Sequence, residues 1–366
     1  MTCRPRTAIS MRYKMSIVNI IFEDGHVFTG ERFGADTDAI GEVVFTTNSA
    51  SYMEDFTDPC CAGQIIMPTF PSLGNYGVIP EDCLSDRCRC AAVITRSACD
   101  EPSNFRSTGT IDSYLREQGV PGVMGVDTRA ITRLLRDNPS MRAAITEKSP
   151  NEVMNDIKTY KFNGYLEYNG TTGEKTFSPE GEKTARVALV DFGAPKRQLD
   201  ALLSLGCEVI LTPMGTPVSD ILKNGCSGIV LSEGPGDPRD YAECLPGIGA
   251  YFGELPLFGI GLGHQLMALS QGCRIAELPT GHRGSNVPVR SLESGTVNIT
   301  SQTHSYCADR ETLPGSVKLL YENRNDGSVE GLLYGNSGAF SIQFHPEAGR
   351  RGPEWGFAKF LEMSAV

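Results

Sequence analysis

From Arg186 onward, short apolar runs alternate with helical segments, and this alternation leaves few folds open. Runs at 187–191, 208–211, 228–232 and 257–260 read as strands, while 196–205, 218–223 and 263–271 read as helices. The strand runs are apolar at successive positions rather than at every second one. That pattern belongs to strands covered on both faces. Such strands, interleaved with helices, predict a doubly wound, mostly parallel sheet whose functional residues sit at the strand C-terminal ends.

The preceding part reads as a β-rich α/β domain. Strands are expected at 17–22, 41–47, 64–67 and 91–95, with Asp24-Gly25 as a hairpin turn. A helix is expected over 128–135, with Ile131, Leu134 and Leu135 on one face. Residues 164–185 are polar and carry Gly164, Gly170, Gly173, Pro179 and Gly181, a linker composition. The expected organisation is a disordered extension over 1–15, a first domain over 16–163, a linker over 164–185 and a second domain over 186–366.

Composition narrows the function. Hydrophobic residues make up 40% and charged residues 21%, an ordinary globular balance. The formal net charge of −11 argues against nucleic-acid and anionic-membrane partners. No apolar run approaches the ~20 residues that span a bilayer. The first 15 residues are basic and lack the apolar stretch of a secretory signal, so folded sequence is expected to begin at Ser16. The 12 cysteines show no repeating framework, which points to reduced thiols and a cytoplasmic protein. Cys83, Cys88, Cys90 and Cys99 are not spaced as zinc-binding pairs, and four of the five histidines are scattered through the second domain, so no metal site is expected.

Three segments fall where such a sheet carries its chemistry. Ser232-Glu233-Gly234-Pro235-Gly236-Asp237-Pro238 follows a strand, and its glycines leave backbone N–H groups free for an anion or oxyanion. Phe258-Gly259-Ile260-Gly261-Leu262-Gly263-His264-Gln265 has the layout of a nucleophile elbow, but Gly261 stands at the apex. The rival dinucleotide fingerprint fails because His264 occupies its third glycine position. Phe340-Ser341-Ile342-Gln343-Phe344-His345-Pro346-Glu347 delivers a histidine at a strand end with a carboxylate two residues on, the general-base half of a triad.

Together these segments resemble the small subunit of carbamoyl-phosphate synthetase, a class I glutamine amidotransferase. The likeness extends through Val190-Asp191-Phe192-Gly193, Gly281-His282-Arg283-Gly284 and Asn325-Asp326-Gly327. In the first domain it includes Gly41-Glu42-Val43-Val44-Phe45, Gly74-Asn75-Tyr76-Gly77 and Asp127-Thr128-Arg129, so it covers nearly all the chain from Ser16 to Met363. The resemblance implies glutamine hydrolysis here, with ammonia passed to a large subunit that makes carbamoyl phosphate for pyrimidine and arginine synthesis. ATP and magnesium are expected on that large subunit and no cofactor on this chain.

Position by position, the resemblance implies His345 and Glu347 as the base pair and Gly261 at the nucleophile's place. It implies oxyanion N–H groups at Gly234 and Leu262, and glutamine contacts at Gly236, Gln265 and Tyr306. The departures cluster at the same site. The family's cysteine is Gly261, its Gln-Asn-His-Gly is Gln302-Thr303-His304-Ser305, and a substrate-touching serine is Cys60. The segment Gly349-Arg350-Arg351-Gly352 also diverges. The expectation is a small subunit in which thiol-dependent hydrolysis is lost, as in an animal ammonia-dependent synthetase that also lacks this cysteine. Two alternatives stand beside it: a glutaminase with a relocated nucleophile such as Cys60, and a non-catalytic binding or regulatory homologue in another pathway.

Overall fold

A computed structural model describes residues 16–138, 140–163, 170–335, 337–347 and 356–364. The expected extension over 1–15 and the divergent segment 349–352 lie outside them.

The first domain is built on a closed seven-stranded barrel. Around it run Ile17–Phe22, Val27–Gly34, Pro121–Met124, Ala92–Ile94, Gln64–Pro68, Ala39–Thr46 and Arg142–Thr146, which returns to the first. Side chains alternate across each strand because the strand repeat is two residues. Val43, Ile65, Met67, Ala92 and Ile94 fill the interior, whereas Val44, Ile66 and Val93 face an outer layer with Met53, Phe56 and Leu115. Gly25, at φ 95°, closes the expected hairpin between the first two strands. The helix Thr128–Asp137 begins at Asp127, whose side chain accepts from the Ala130 N–H, and buries Ile131 and Leu135. A capping box at Ser149 and Glu152 starts Pro150–Thr159, whose Val153 and Ile157 cover Ile21 and Ala144.

The second domain is a ten-stranded sheet. Cys207–Pro213, Ala185–Asp191, Gly228–Leu231, Leu257–Ile260 and Ala339–Ile342 lie side by side and parallel. Their unbroken apolar runs are explained by cover on both faces. Ala188, Val190, Ile229, Leu231 and Leu257 pack under the helix Leu262–Ser270, while Val187, Leu189, Val230 and Phe258 pack under Gly356–Ser364. Antiparallel strands extend the sheet, ending in the long pair Ile275–Ser291 and Val297–Ala308. Within the expected linker, Lys175–Phe177 pairs antiparallel with Val209–Leu211 at the opposite edge. That short strand has no periodicity of its own, and its partner supplies its register.

The two domains meet along one cleft. Lys196 N–H donates to Leu84 O at 2.9 Å, Lys161 pairs with Asp240 at 2.6 Å and Arg197 with Asp58 at 3.2 Å. No described helix is long and apolar enough to cross a membrane.

Candidate active site

The strand Leu257–Ile260 ends and the helix Leu262–Ser270 begins at a single residue, Gly261. Its φ of 55° and ψ of −110° strain any residue that carries a Cβ. Backbone bonds pin the turn: Gly261 N–H donates to Ile342 O and Gly263 N–H to Ser232 O, both at 3.0 Å. A Cβ at Gly263 would lie 2.4 Å from Leu231 O, so the helix start packs directly on the neighbouring strand. The geometry is that of a nucleophile elbow.

Glu233 fills the space over the apex. A Cβ built on Gly261 would stand 2.8 Å from Glu233 Cγ and 3.6 Å from its Cδ. Glu233 follows the strand Gly228–Leu231 and is 1% exposed. Its Oε1 accepts from His345 Nδ1, and its Oε2 accepts from Arg197 Nη2 at 2.6 Å. The sequence pointed to Glu347 as the carboxylate that orients His345, and here the structure differs. Glu347 Oε1 accepts from Arg197 Nε, and its Oε2 has no hydrogen-bond partner among the described residues. The reason is Arg197, at the start of Lys196–Ser204, whose guanidinium gathers Glu347, Glu233 and Asp58. Glu347 stays within 4.8 Å of the imidazole but bonds the guanidinium, while the bare apex leaves room for Glu233 to take the Nδ1 hydrogen bond.

The electrostatics follow from this packing. Burial alone would raise the Glu233 pKa, but the His345 and Arg197 cations outweigh it and lower the value to about 2. Burial disfavours the His345 cation, yet the Glu233 carboxylate outweighs burial and raises the imidazole's pKa. Burial pushes Glu347 up, with Arg197 opposing. Arg197 Nη2 also lies 3.1 Å from His345 Nδ1. With Glu233 ionised, the Nδ1–H donates to its carboxylate, and the imidazole and the guanidinium meet over one shared anion.

The remaining residues singled out in the sequence come together here. Cys60, Gly234, Gly236, Gly261, Leu262, Gln265, Thr303, Ser305, Tyr306 and His345 line one cavity of about 340 Å³ between the domains, whereas Glu347 is outside that lining and pairs with Arg197. Cys60 Sγ lies 3.7 Å from Glu233 Oε2, and burial, with Asp58 and Glu233, pushes the thiol well above its ordinary pKa. Thr303 Oγ1 is 3.4 Å from His345 Nε2. Ser305 Oγ accepts from Arg283 at 2.6 Å. Gln265 is buried, and its amide donates to Tyr306 O at 2.8 Å and Gln343 Oε1 at 2.9 Å. The Tyr306 ring lies under Arg239, 5.5 Å from its centroid.

Sequence reasoning missed Glu233, Arg197 and Asp58 as members of the site. Glu233 stood inside a segment read for its glycines, and Arg197 inside an ordinary amphipathic helix. The elbow's own His264 is elsewhere: it is buried against Ser341 Oγ at 2.7 Å, and burial lowers its pKa to about 3. Cys88 and Cys90 bring their sulfurs to 3.5 Å in the first domain's outer layer.

The comparisons with known proteins agree with this layout. Residues 20–145 match the family model of the carbamoyl-phosphate synthase small chain, CPSase domain, and residues 188–363 match that of class-I glutamine amidotransferases. The carbamoyl phosphate synthase small chain of Bacillus caldolyticus is 40% identical over 95% of this chain and 95% of its own. That of Listeria monocytogenes is 38% identical, covering 94% of this chain and 96% of its own. Among solved structures, a glutamine amidotransferase from Thermotoga maritima covers 50% of this chain and 82% of its own, at 19% identity and a TM-score of 0.36. With both domains in order and such identity over nearly its whole length, the chain belongs to the carbamoyl-phosphate synthase small chain family.

Proposed function

We propose that this chain is a small subunit that has lost thiol-dependent glutamine hydrolysis and supports a large synthase subunit fed by free ammonia. The observation that carries this is Gly261 at the apex of an otherwise intact elbow, with the space over it filled by Glu233. The amides of Gly234 and Leu262 are backbone groups, so an oxyanion site survives any side-chain change. Without a thiolate at the apex no thioester forms, and nucleophile and base act as a unit, so the remaining parts supply little. Glycine at this position also relieves backbone strain on the order of 1–3 kcal/mol. We place the chain in the cytoplasm, in a heteromer whose large subunit holds ATP and magnesium and serves pyrimidine and arginine synthesis. This chain holds no cofactor in that scheme.

Two features weigh against glutamine in the cavity as the family holds it. Thr303 and Ser305 stand where the resemblance implies asparagine and glycine, and both Gln265 amide bonds are to the protein itself. Cys60 is a poor replacement nucleophile, because burial and the carboxylates of Asp58 and Glu233 hold its thiol protonated. The test is glutamine hydrolysis by the purified chain, alone and with a co-expressed large subunit. The expected result is no turnover with glutamine and carbamoyl phosphate formation with ammonium. Glutamine turnover abolished by Cys60→Ala would establish the relocated nucleophile instead. Failure to co-purify with any synthase large subunit would favour a separate binding protein.

A further inference from the structure

Gly261 and Glu233 are two halves of one feature. Glu233 is held at both carboxylate oxygens, by His345 Nδ1 and by Arg197 Nη2, and is 1% exposed. It therefore cannot swing aside cheaply. Any side chain at position 261 meets it at once, since the Cβ would stand 2.8 Å from its Cγ, well inside van der Waals contact. The same carboxylate accepts from His345 Nδ1, which fixes the orientation of the ring.

We propose that Glu233 is a built-in occupant of the nucleophile's place, which both blocks a side chain at position 261 and ties down His345 through Nδ1. Glu233 is thus a positioning residue, acting through His345. The proposal rests on the reading of position 261 as the nucleophile's place. It also goes beyond that reading: a thiol restored at the apex stays inactive while Glu233 remains.

The test compares Gly261→Cys with the double variant Gly261→Cys/Glu233→Ala, following alkylation of the peptide that contains position 261 by iodoacetamide. The single variant should lose several degrees in Tm and alkylate slowly. The double variant should recover Tm towards the parent and alkylate at least tenfold faster at pH 7. Equal alkylation rates and equal Tm in the two variants would overturn the proposal. A second measurement needs no change at position 261. The His345 imidazole, followed by NMR, should titrate at lower pH in Glu233→Gln than in the parent chain, because the anion that stabilises its cation is gone. An unchanged His345 titration would also overturn it. A glutamine-mimicking chloroketone separates the two ideas. Its rate relative to iodoacetamide reports on glutamine recognition, whereas the iodoacetamide rates and the His345 titration report on Glu233.

Discussion

At the scale of single residues, one guanidinium holds the site together. Arg197 bonds three carboxylates, Asp58, Glu233 and Glu347, and all three side chains are nearly fully buried. Buried ions are stable only when paired, and removing one partner of such a pair typically costs about 3–5 kcal/mol. Arg197→Met is therefore expected to destabilise the chain by about that amount, read as the free energy of urea unfolding. A loss under about 1 kcal/mol would mean that the carboxylates simply protonate without consequence. The pH dependence has a definite sign. Glu233 has a folded pKa lowered to about 2 against an ordinary 4.5, so its contribution is full above pH 4.5 and is lost as pH falls towards 2. Glu233→Gln should flatten that acid limb. Sequence alone made Gly261 legible because the elbow has a fixed pattern of small residues. It left Glu233 unread because a carboxylate beside a glycine turn is common, and only the third dimension puts it over Gly261.

At the scale of elements, legibility followed burial on two faces. Leu257–Ile260 and Gly228–Leu231 were read because every residue in them is buried, leaving a solid apolar run. Phe258 stacks on Phe340 with ring centroids 4.5 Å apart and meets Phe357 and Phe360 edge-on or stacked. Phe258→Ala is expected to cost about 3–5 kcal/mol and to loosen the elbow that this strand carries. Thermal unfolding of the variant checks it. Three barrel strands went unread, Pro121–Met124 and two others that are hidden for opposite reasons. Val27–Gly34 carries Gly30, Glu31 and Arg32, and Arg142–Thr146 is alanine-rich, so neither shows a β pattern without its partners. The long pair Ile275–Ser291 and Val297–Ala308 hides for a third reason. Register shifts between Glu277 and His282 and between Gly284 and Val287 break its alternation. His282, Arg283 and Thr303, half-buried, pair between the two shifts. Burial disfavours the His282 cation, but Asp326 at 2.8 Å and Glu330 outweigh it and raise its pKa to about 9. A raised histidine stabilises below its ordinary 6.5 and loses that contribution as pH climbs to about 9. The chain should therefore lose stability over that interval, and His282→Asn should remove the slope in a series of unfolding measurements across it.

At the scale of the molecule, the cleft belongs to neither domain alone. The second domain supplies the elbow, His345, Glu233 and Arg197, while the barrel domain supplies Asp58 and Cys60 from one short turn. Asp58 is fixed before it reaches across: its Oδ1 accepts from Cys60 N–H at 2.9 Å, leaving Oδ2 for Arg197 at 3.2 Å. The turn that presents Cys60 to the cavity is thus the turn that ties the domains. Replacing Asp58 by Asn keeps the shape and can keep the turn bond, but it removes the charge from the inter-domain contact. Arg197 retains Glu233 and Glu347, so the loss should be smaller than for Arg197 itself, about 1–3 kcal/mol. The more telling readout is cooperativity. With the charge cluster intact, the domains should melt in one calorimetric transition, because separating them strands Asp58 from its cation. In Asp58→Asn the transition should broaden or split, with the barrel and the sheet melting apart. A double-mutant cycle with Arg197→Met should then give a coupling of about 0.5–3 kcal/mol, the range found for residues within one charge network. Additive losses and an unsplit transition in Asp58→Asn would mean that the domains are joined by the rest of the cleft, through Lys161–Asp240 and the Lys196–Leu84 backbone bond, rather than through the site.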